Sequence, residues 1–385
     1  MAKYKIDIKY AEDKMKKNRQ RLTDNADFKP TDRTPVLFGT FERYYLRARG
    51  VGYDEFYSDA KSMLHHMILN QAWAIENIPD DRCTDRVLSI PGPWFENLIS
   101  AEAFGAEVRF SDDQPAWLMR GNVTPEDVKN LKVPKPTDGL SGKKIEYFFQ
   151  WQELLKDYEV RFNGEPGKIN IVGMDASGDG PILTAIDLVG FDFLLWAIEC
   201  PDICHILLKK ITKAMIDRGL YLRKIDPRPV SLFMIAVDFA EQMSAAMYRE
   251  LIVPYDTEIY KILGAGIKDG RSIHNCGNST HLIDVFINDL NITSFWLFGS
   301  PVDPKHVAEK MGGRIKVWGN LNCTTMLIES KEKVYEDSNN CLEAFGKYTG
   351  FILGDGANVA PDTTLENLGA VLKAAEDFGP VPNNL

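Results

Sequence analysis

Ser272-Ile273-His274-Asn275-Cys276-Gly277-Asn278 closes a short apolar run and then turns away from it at Gly277-Asn278. In an extended strand, residues two apart point to the same face, so the His274 imidazole and the Cys276 thiol are expected side by side. Nitrogen and sulfur are both good zinc donors. A buried thiol next to a satisfied histidine reads equally well from these seven residues alone. What decides is the kind of strand they end, and that is read from the neighbouring stretches.

From Lys168 onward, short apolar runs alternate with amphipathic ones. The strand candidates are 168–174, 231–237, 272–276, 293–298, 314–318 and 350–353. The helix candidates are 182–197, 202–225, 244–263, 279–288, 304–310, 325–338 and 364–378. Such alternation implies a parallel sheet with right-handed crossovers. Two earlier runs, Val36–Phe38 and Val87–Ile90, bring the strand count to eight, the number that closes a (β/α)8 TIM barrel. Residues 1–32, polar and rich in Lys and Asp, are expected to add an N-terminal extension, a helix followed by an arm. No linker interrupts the rest, so residues 1–385 are expected to form a single domain.

Several smaller signals fit that frame. Residues 106–110 and 116–119 alternate around the turn residues 111–115, which predicts a pair of short strands. Thr124-Pro125-Glu126-Asp127 has the composition of a helix start, and residues 59–77 read as a long helix. Residues 40–50, aromatic and basic together, read as an amphipathic helix or as the lining of a pocket.

Composition excludes other classes. The formal net charge of −10 argues against a nucleic-acid or anionic-membrane partner. The apolar runs are too short and interrupted to span a bilayer, and the first residues show no export signal. The six cysteines are scattered, which suits reduced thiols in the cytoplasm better than a disulfide framework.

Catalytic groups of such barrels gather where strands end. His274 and Cys276 stand at one such end. Asp238, Trp296, Phe298, Asn320 and Asp355 follow or close other strands and are expected at the same mouth.

Five motifs, in order, resemble the uroporphyrinogen decarboxylase superfamily: residues 124–131, Gly178-Asp-Gly-Pro-Ile-Leu-Thr-Ala185, His274-Asn-Cys-Gly-Asn278, Gly319-Asn-Leu321 and 359–368. Within it the chain is more similar to the corrinoid-dependent methyltransferases. The decarboxylases carry arginines after the first strand that hold the acidic side chains of a tetrapyrrole; here Phe38-Gly-Thr-Phe-Glu-Arg-Tyr-Tyr45 stands there. The resemblance implies a (β/α)8 barrel with zinc held by His274 and Cys276, and a third cysteine ligand near the C-terminus. Ala357 occupies that third position. Asp238 and Asp355 are then the leading substitutes, and Cys323 a weaker one.

The branch it resembles most is the first methyltransferase of an O-demethylase system. That implies a small-molecule methyl donor, an ether of a methoxylated aromatic type, and the Co(I) corrinoid (cobalamin) of a partner protein as acceptor. Zinc would activate the ether oxygen, with Asp238, Glu241 and His274 as the catalytic groups. Phe38, Tyr44, Tyr45, Trp94, Phe239, Trp296 and Asn320 are the expected substrate-binding residues, with Phe95 and Phe298 also within the available aromatic set. Two alternatives stay open: a lyase acting on a smaller carboxylated substrate, and a methylcorrinoid:thiol methyltransferase. The resemblance also leaves a homodimer open. Outside the site, adjacent His65 and His66 and the pair Cys200 and Cys204 read as structural.

Overall fold

The computed structural model describes residues 3–121, 123–174 and 176–382. The first two residues of the expected 1–32 extension therefore lie outside the described residues. The chain divides into two compact units, one of Met1–Pro91, Phe149–Val172 and Phe295–Leu385, the other of Gly92–Phe148 and Gly173–Ser294.

In the first unit, Val87–Ile90 pairs in parallel with Lys168–Ile171. Lys316–Leu321 pairs in parallel with Phe351–Asp355 and has residues 295–298 on its other side. The expected first strand is reduced to one parallel bridge, Val36 with Leu353. The cause lies in where the Val36 N–H goes. It donates to Asp81 Oδ2 at 2.8 Å instead of to a neighbouring strand. Asp81 is fully buried and also takes both Arg33 guanidinium nitrogens at 2.7 Å and Arg21 Nη1 at 2.8 Å. A buried carboxylate with this many donors is satisfied, and losing both arginines would leave its charge buried and unpaired.

The N-terminus corrects the sequence reading. Tyr4–Ile8 is a strand, parallel to Tyr158–Phe162, and only then does the helix Glu12–Ala26 begin. Tyr4, Ile6 and Ile8 alternate with exposed Lys5 and Asp7, which is the period of a half-buried strand. The helix expected over 59–77 is present as Ala60–Asn77, capped by Asp59, which accepts from the Ser62 N–H at 2.7 Å. The run expected as one helix over 325–338 is two, Cys323–Ile328 and Lys331–Phe345, because Ser330 is extended and caps the second.

In the second unit, Gly178–Asp179, Leu232–Ala236 and Asp269–His274 lie side by side and parallel. Glu107–Arg109 and Trp117–Met119 form the expected antiparallel pair. Thr124 and Asp127 make a reciprocal cap at the start of Pro125–Asn130. The helix expected over 182–197 is broken into Pro181–Val189 and Asp192–Glu199 with a 106° bend. Gly190 sits between them at φ +85°, a conformation that ends a helix. Ala245–Leu251 and Val253–Leu263 likewise replace one long helix.

Parallel strands alternating with helices run through the chain, the pattern of the (β/α)8 class. Among the described residues, no single helix is long and apolar enough to cross a membrane.

Candidate metal centre and adjoining cavity

Leu232–Ala236 and Asp269–His274 end at the same level, with His274 opposite Ala236. Beyond that pair the Val237 N–H still donates to the His274 carbonyl at 2.8 Å. The strand stops at His274, two residues short of the sequence expectation. Cys276 is brought back to it by Asp238, whose Oδ1 accepts the Cys276 N–H at 2.9 Å. His274 Nε2 stands 3.7 Å from the same Oδ1. One ligand atom from each of Asp238, His274 and Cys276 lies within 4.8 Å of the others.

A buried brace holds this loop. Asn275 donates through Nδ2 to the Val237 carbonyl and to Glu241 Oε2, both at 2.9 Å, and accepts the Gly277 N–H at 3.1 Å. A Cβ at position 277 would sit 2.3 Å from Glu241 Cδ, so glycine leaves the room that the glutamate occupies. Phe239, next to Asp238, is held at φ +73°, a costly conformation for an aromatic residue that marks the turn as tightly constrained.

The donor set suits zinc. A tetrahedral zinc with bonds of about 2.0–2.3 Å keeps its donors roughly 3.3–3.8 Å apart, a small adjustment from the observed cluster. The Cys276 thiol is pushed above its ordinary value, by partial desolvation at the foot of the loop first and then by the Asp238 carboxylate, although the residue as a whole is exposed. A thiolate packed against a carboxylate lacks a countercharge, and a divalent cation is the group that would supply one. Imidazole, thiol and carboxylate therefore fit the metal.

Beside the cluster lies a cavity of about 110 Å³, whose wall includes Trp94, Phe95, Ser100, Asp179 and Arg218. Asp179 pairs with Ala236 in register, so cluster and cavity share the C-terminal ends of adjacent strands. The Asp179 pKa is pushed up to about 8, by burial first and then by Asp187, with Arg218 pulling the other way. Burial likewise raises Asp187 to about 6, against the pull of Arg120. The Arg120 guanidinium lies 5.1 Å from the centres of both the Phe191 and Phe239 rings.

The uroporphyrinogen decarboxylase (URO-D) family model matches residues 93–378, most of the chain and all of the cluster and cavity. The chain belongs to the URO-D family. Uroporphyrinogen decarboxylase of Xanthomonas axonopodis pv. citri (strain 306) is 26% identical over 188 residues, 47% of this chain and 51% of that protein. That of Coxiella burnetii (strain RSA 493 / Nine Mile phase I) is 22% identical over 296 residues, 73% of this chain and 75% of that protein. The chain thus spans about half the length of the Xanthomonas relative it matches. Among solved structures, a methyltransferase from Methanosarcina mazei superposes with a TM-score of 0.65, over 94% of this chain and 98% of that one, at 19% identity. This likeness shows the fold, an α/β fold of the (β/α)8-barrel type.

The other expected site residues of this URO-D family chain are placed as follows. Trp94 lines the cavity, and Phe239 packs edge-on against Phe191. In the first unit, Phe38, Tyr44 and Tyr45 are buried. Tyr44 Oη donates to the Thr363 carbonyl at 2.9 Å, and Tyr45 Oη lies 2.7 Å from Thr40 Oγ1. Trp296 packs against Trp318 with ring centres 5.0 Å apart. Asn320 Nδ2 is engaged by the Gly299 and Val302 carbonyls, and its Oδ1 accepts from the Cys341 thiol.

Asp355 is buried in the first unit, where its Oδ1 accepts the Gly39 N–H at 2.7 Å. Burial raises its pKa to about 7. The Cys323 thiol is near backbone N–H groups of 356–358, and its pKa rises to about 11 through burial and Asp355. Neither Asp355 nor Cys323 belongs to the three-residue cluster found among the described residues.

Sequence reading quotes Asn275 and Asp179 within motifs but gives no role to them or to Arg218. Asp179 did carry a signal, an acid between two glycines at a strand end. Gly178 takes φ +137°, and a Cβ at Gly180 would meet Ile235 Cγ2 at 2.5 Å.

Proposed function

We propose that this chain moves a methyl group from a methyl ether, a methoxylated aromatic in the simplest case, to the Co(I) corrinoid of a partner protein. The observation that carries the reading is the Asp238–His274–Cys276 cluster at the C-terminal ends of adjacent parallel strands. The M. mazei methyltransferase with the same fold adds support. Residues 1–385 act here as one barrel domain. The six free cysteines fit a reducing cytoplasmic setting.

Asp238, His274 and Cys276 would hold zinc. Bound there, zinc supplies Lewis acidity that stabilises the charge left on the ether oxygen as the methyl group departs. Asp238 has a second task, because its hydrogen bond to the Cys276 N–H fixes where the thiol lies. Glu241 acts through Asn275, which ties the loop to the strand end. Trp94 and Phe95 give the neighbouring cavity an apolar wall for an aromatic donor.

A lyase acting on a smaller carboxylated substrate is the second reading, favoured by the decarboxylase relatives and by Arg218 in the cavity wall. The two separate in one assay. Co(I) cobalamin is mixed with methoxybenzene and the zinc-loaded chain, and the optical change to methylcobalamin is followed. Methyl transfer that needs both chain and donor is expected. Asp238→Asn should lower its rate about tenfold or more while leaving the melting curve in place. Wild-type rates in Asp238→Asn would remove the carboxylate from the chemistry. No transfer from any aryl ether, with carbon dioxide released from a carboxylated substrate, would favour the lyase.

A further inference from the structure

The cavity beside the cluster contains a polar group that the methyl-transfer reading does not use. Asp179 is 7% exposed and lines the cavity, and among the described residues no hydrogen-bond partner reaches its Oδ1. A buried carboxyl oxygen left this way costs free energy unless a ligand or water meets it. The backbone around it is built for the purpose: Gly178 supplies a positive φ, and Gly180 lets the chain pass against Ala236.

The charge balance of the wall indicates what the ligand is. Lys144 and Arg218 contribute two positive groups and Glu96 one negative group. With Asp179 as the neutral acid the wall is net positive; with Asp179 ionised it is balanced. The acid form is the one the surroundings favour. Burial raises its pKa to about 8, Asp187 on the helix Pro181–Val189 and Asp238 beyond Leu232–Ala236 push the same way, and Arg218 alone opposes them. A neutral acid beside a guanidinium offers one hydrogen-bond donor and one countercharge. Apolar cavities of about 150 Å³ hold a benzene ring, so about 110 Å³ suits a compact group or a ring edge and not a macrocycle.

We propose that this cavity is an oxyanion subsite, in which Asp179 donates a hydrogen bond to a carboxylate or phenolate group of a small ligand and Arg218 balances its charge. Arg218 is already aimed, since its Nη2 donates to Ser100 Oγ at 3.0 Å. Trp94 and Phe95 flank the rest of the ligand. That this ligand is the methyl donor rests on the reading above; that the subsite binds an oxyanion does not.

The test is calorimetric titration of the full chain, without cobalt, using benzoate, its neutral analogue benzamide, 4-nitrophenolate and tetramethylammonium. Benzoate or 4-nitrophenolate should bind about tenfold or more tightly than benzamide, as charge-assisted hydrogen bonds allow. Which of the two binds better identifies the oxyanion as carboxylate or phenolate. Asp179→Asn should stay within about threefold of wild type, because the amide N–H donates where the acid O–H did, whereas Asp179→Ala loses about tenfold. Arg218→Gln should erase the preference for benzoate over benzamide. Each variant is checked for a cooperative melting transition no lower than that of wild type, and Asp179→Asn reports even where a truncation unfolds. Equal binding of benzoate and benzamide would overturn the proposal. So would wild-type affinity in Asp179→Ala, or preferred binding of tetramethylammonium. Because the readout needs no methyl transfer, its failure and the failure of the methyl-transfer reading are separate results.

Discussion

The Asp179 carboxyl is buried and faces two further acids, and its pKa rises to about 8 through burial and then through Asp187. In the unfolded chain the same group titrates near about 3.9. Between those values the folded protein keeps a proton that the unfolded chain has released, so this group lowers stability as pH rises through the window. Asp179→Asn removes the effect. Urea unfolding near pH 8 should find the variant more stable than wild type by roughly 2–5 kcal/mol, with the gap closing towards about pH 4. A gap that does not change with pH would show that the carboxyl is not titrating as its burial implies.

Much of the cluster is legible at this scale. His274 and Cys276 stand out as paired donors, and Asp238 as an acid at a strand end. What joins them is not legible, because the strand ends at His274 and a hydrogen bond from Cys276 N–H to Asp238 across 38 residues brings the thiol back. Local periodicity carries no information about such a bond. Asn275 was invisible for the same reason: its partners, Val237 and Glu241, belong to another strand end.

Elements were read well where one pattern ran unbroken between clear punctuation. Ala60–Asn77, Pro201–Ile225 and Leu365–Phe378 lie within a residue of their expected limits, and capping side chains at Asp59 and Thr364 explain two of the starts. Errors came where periodicity continued through a break. The apolar spacing runs on across Gly190, yet that glycine adopts φ +85° and the helix turns. Tyr4–Ile8 was hidden by its lysine and aspartate, although its alternation fits the strand it forms.

The short strand Gly178–Asp179 was also missed, since two residues leave no periodic signal. Its position depends on close approach: a Cβ on Gly180 would lie 2.7 Å from the Ala236 carbonyl, a backbone atom that cannot step aside. Gly180→Ala should therefore cost roughly 1–3 kcal/mol in urea unfolding, in the range of overpacked sites. Unchanged stability would mean that the strand end has more room than its contacts indicate.

For the molecule as a whole, the alternation of parallel strands and helices was sufficient for the fold class, and the match over residues 93–378 sets the family. Fold class leaves the chemistry open, because one barrel type supports many reactions through the residues at its strand ends. The same mouth can serve a decarboxylase or a methyltransferase. The central claim is that Asp238, His274 and Cys276 are a metal centre. Elemental analysis of the purified chain, beside His274→Ala, tests it most directly. The account predicts about one zinc per wild-type chain and none in the variant; a wild-type chain that carries no metal and still transfers methyl groups at full rate would contradict it.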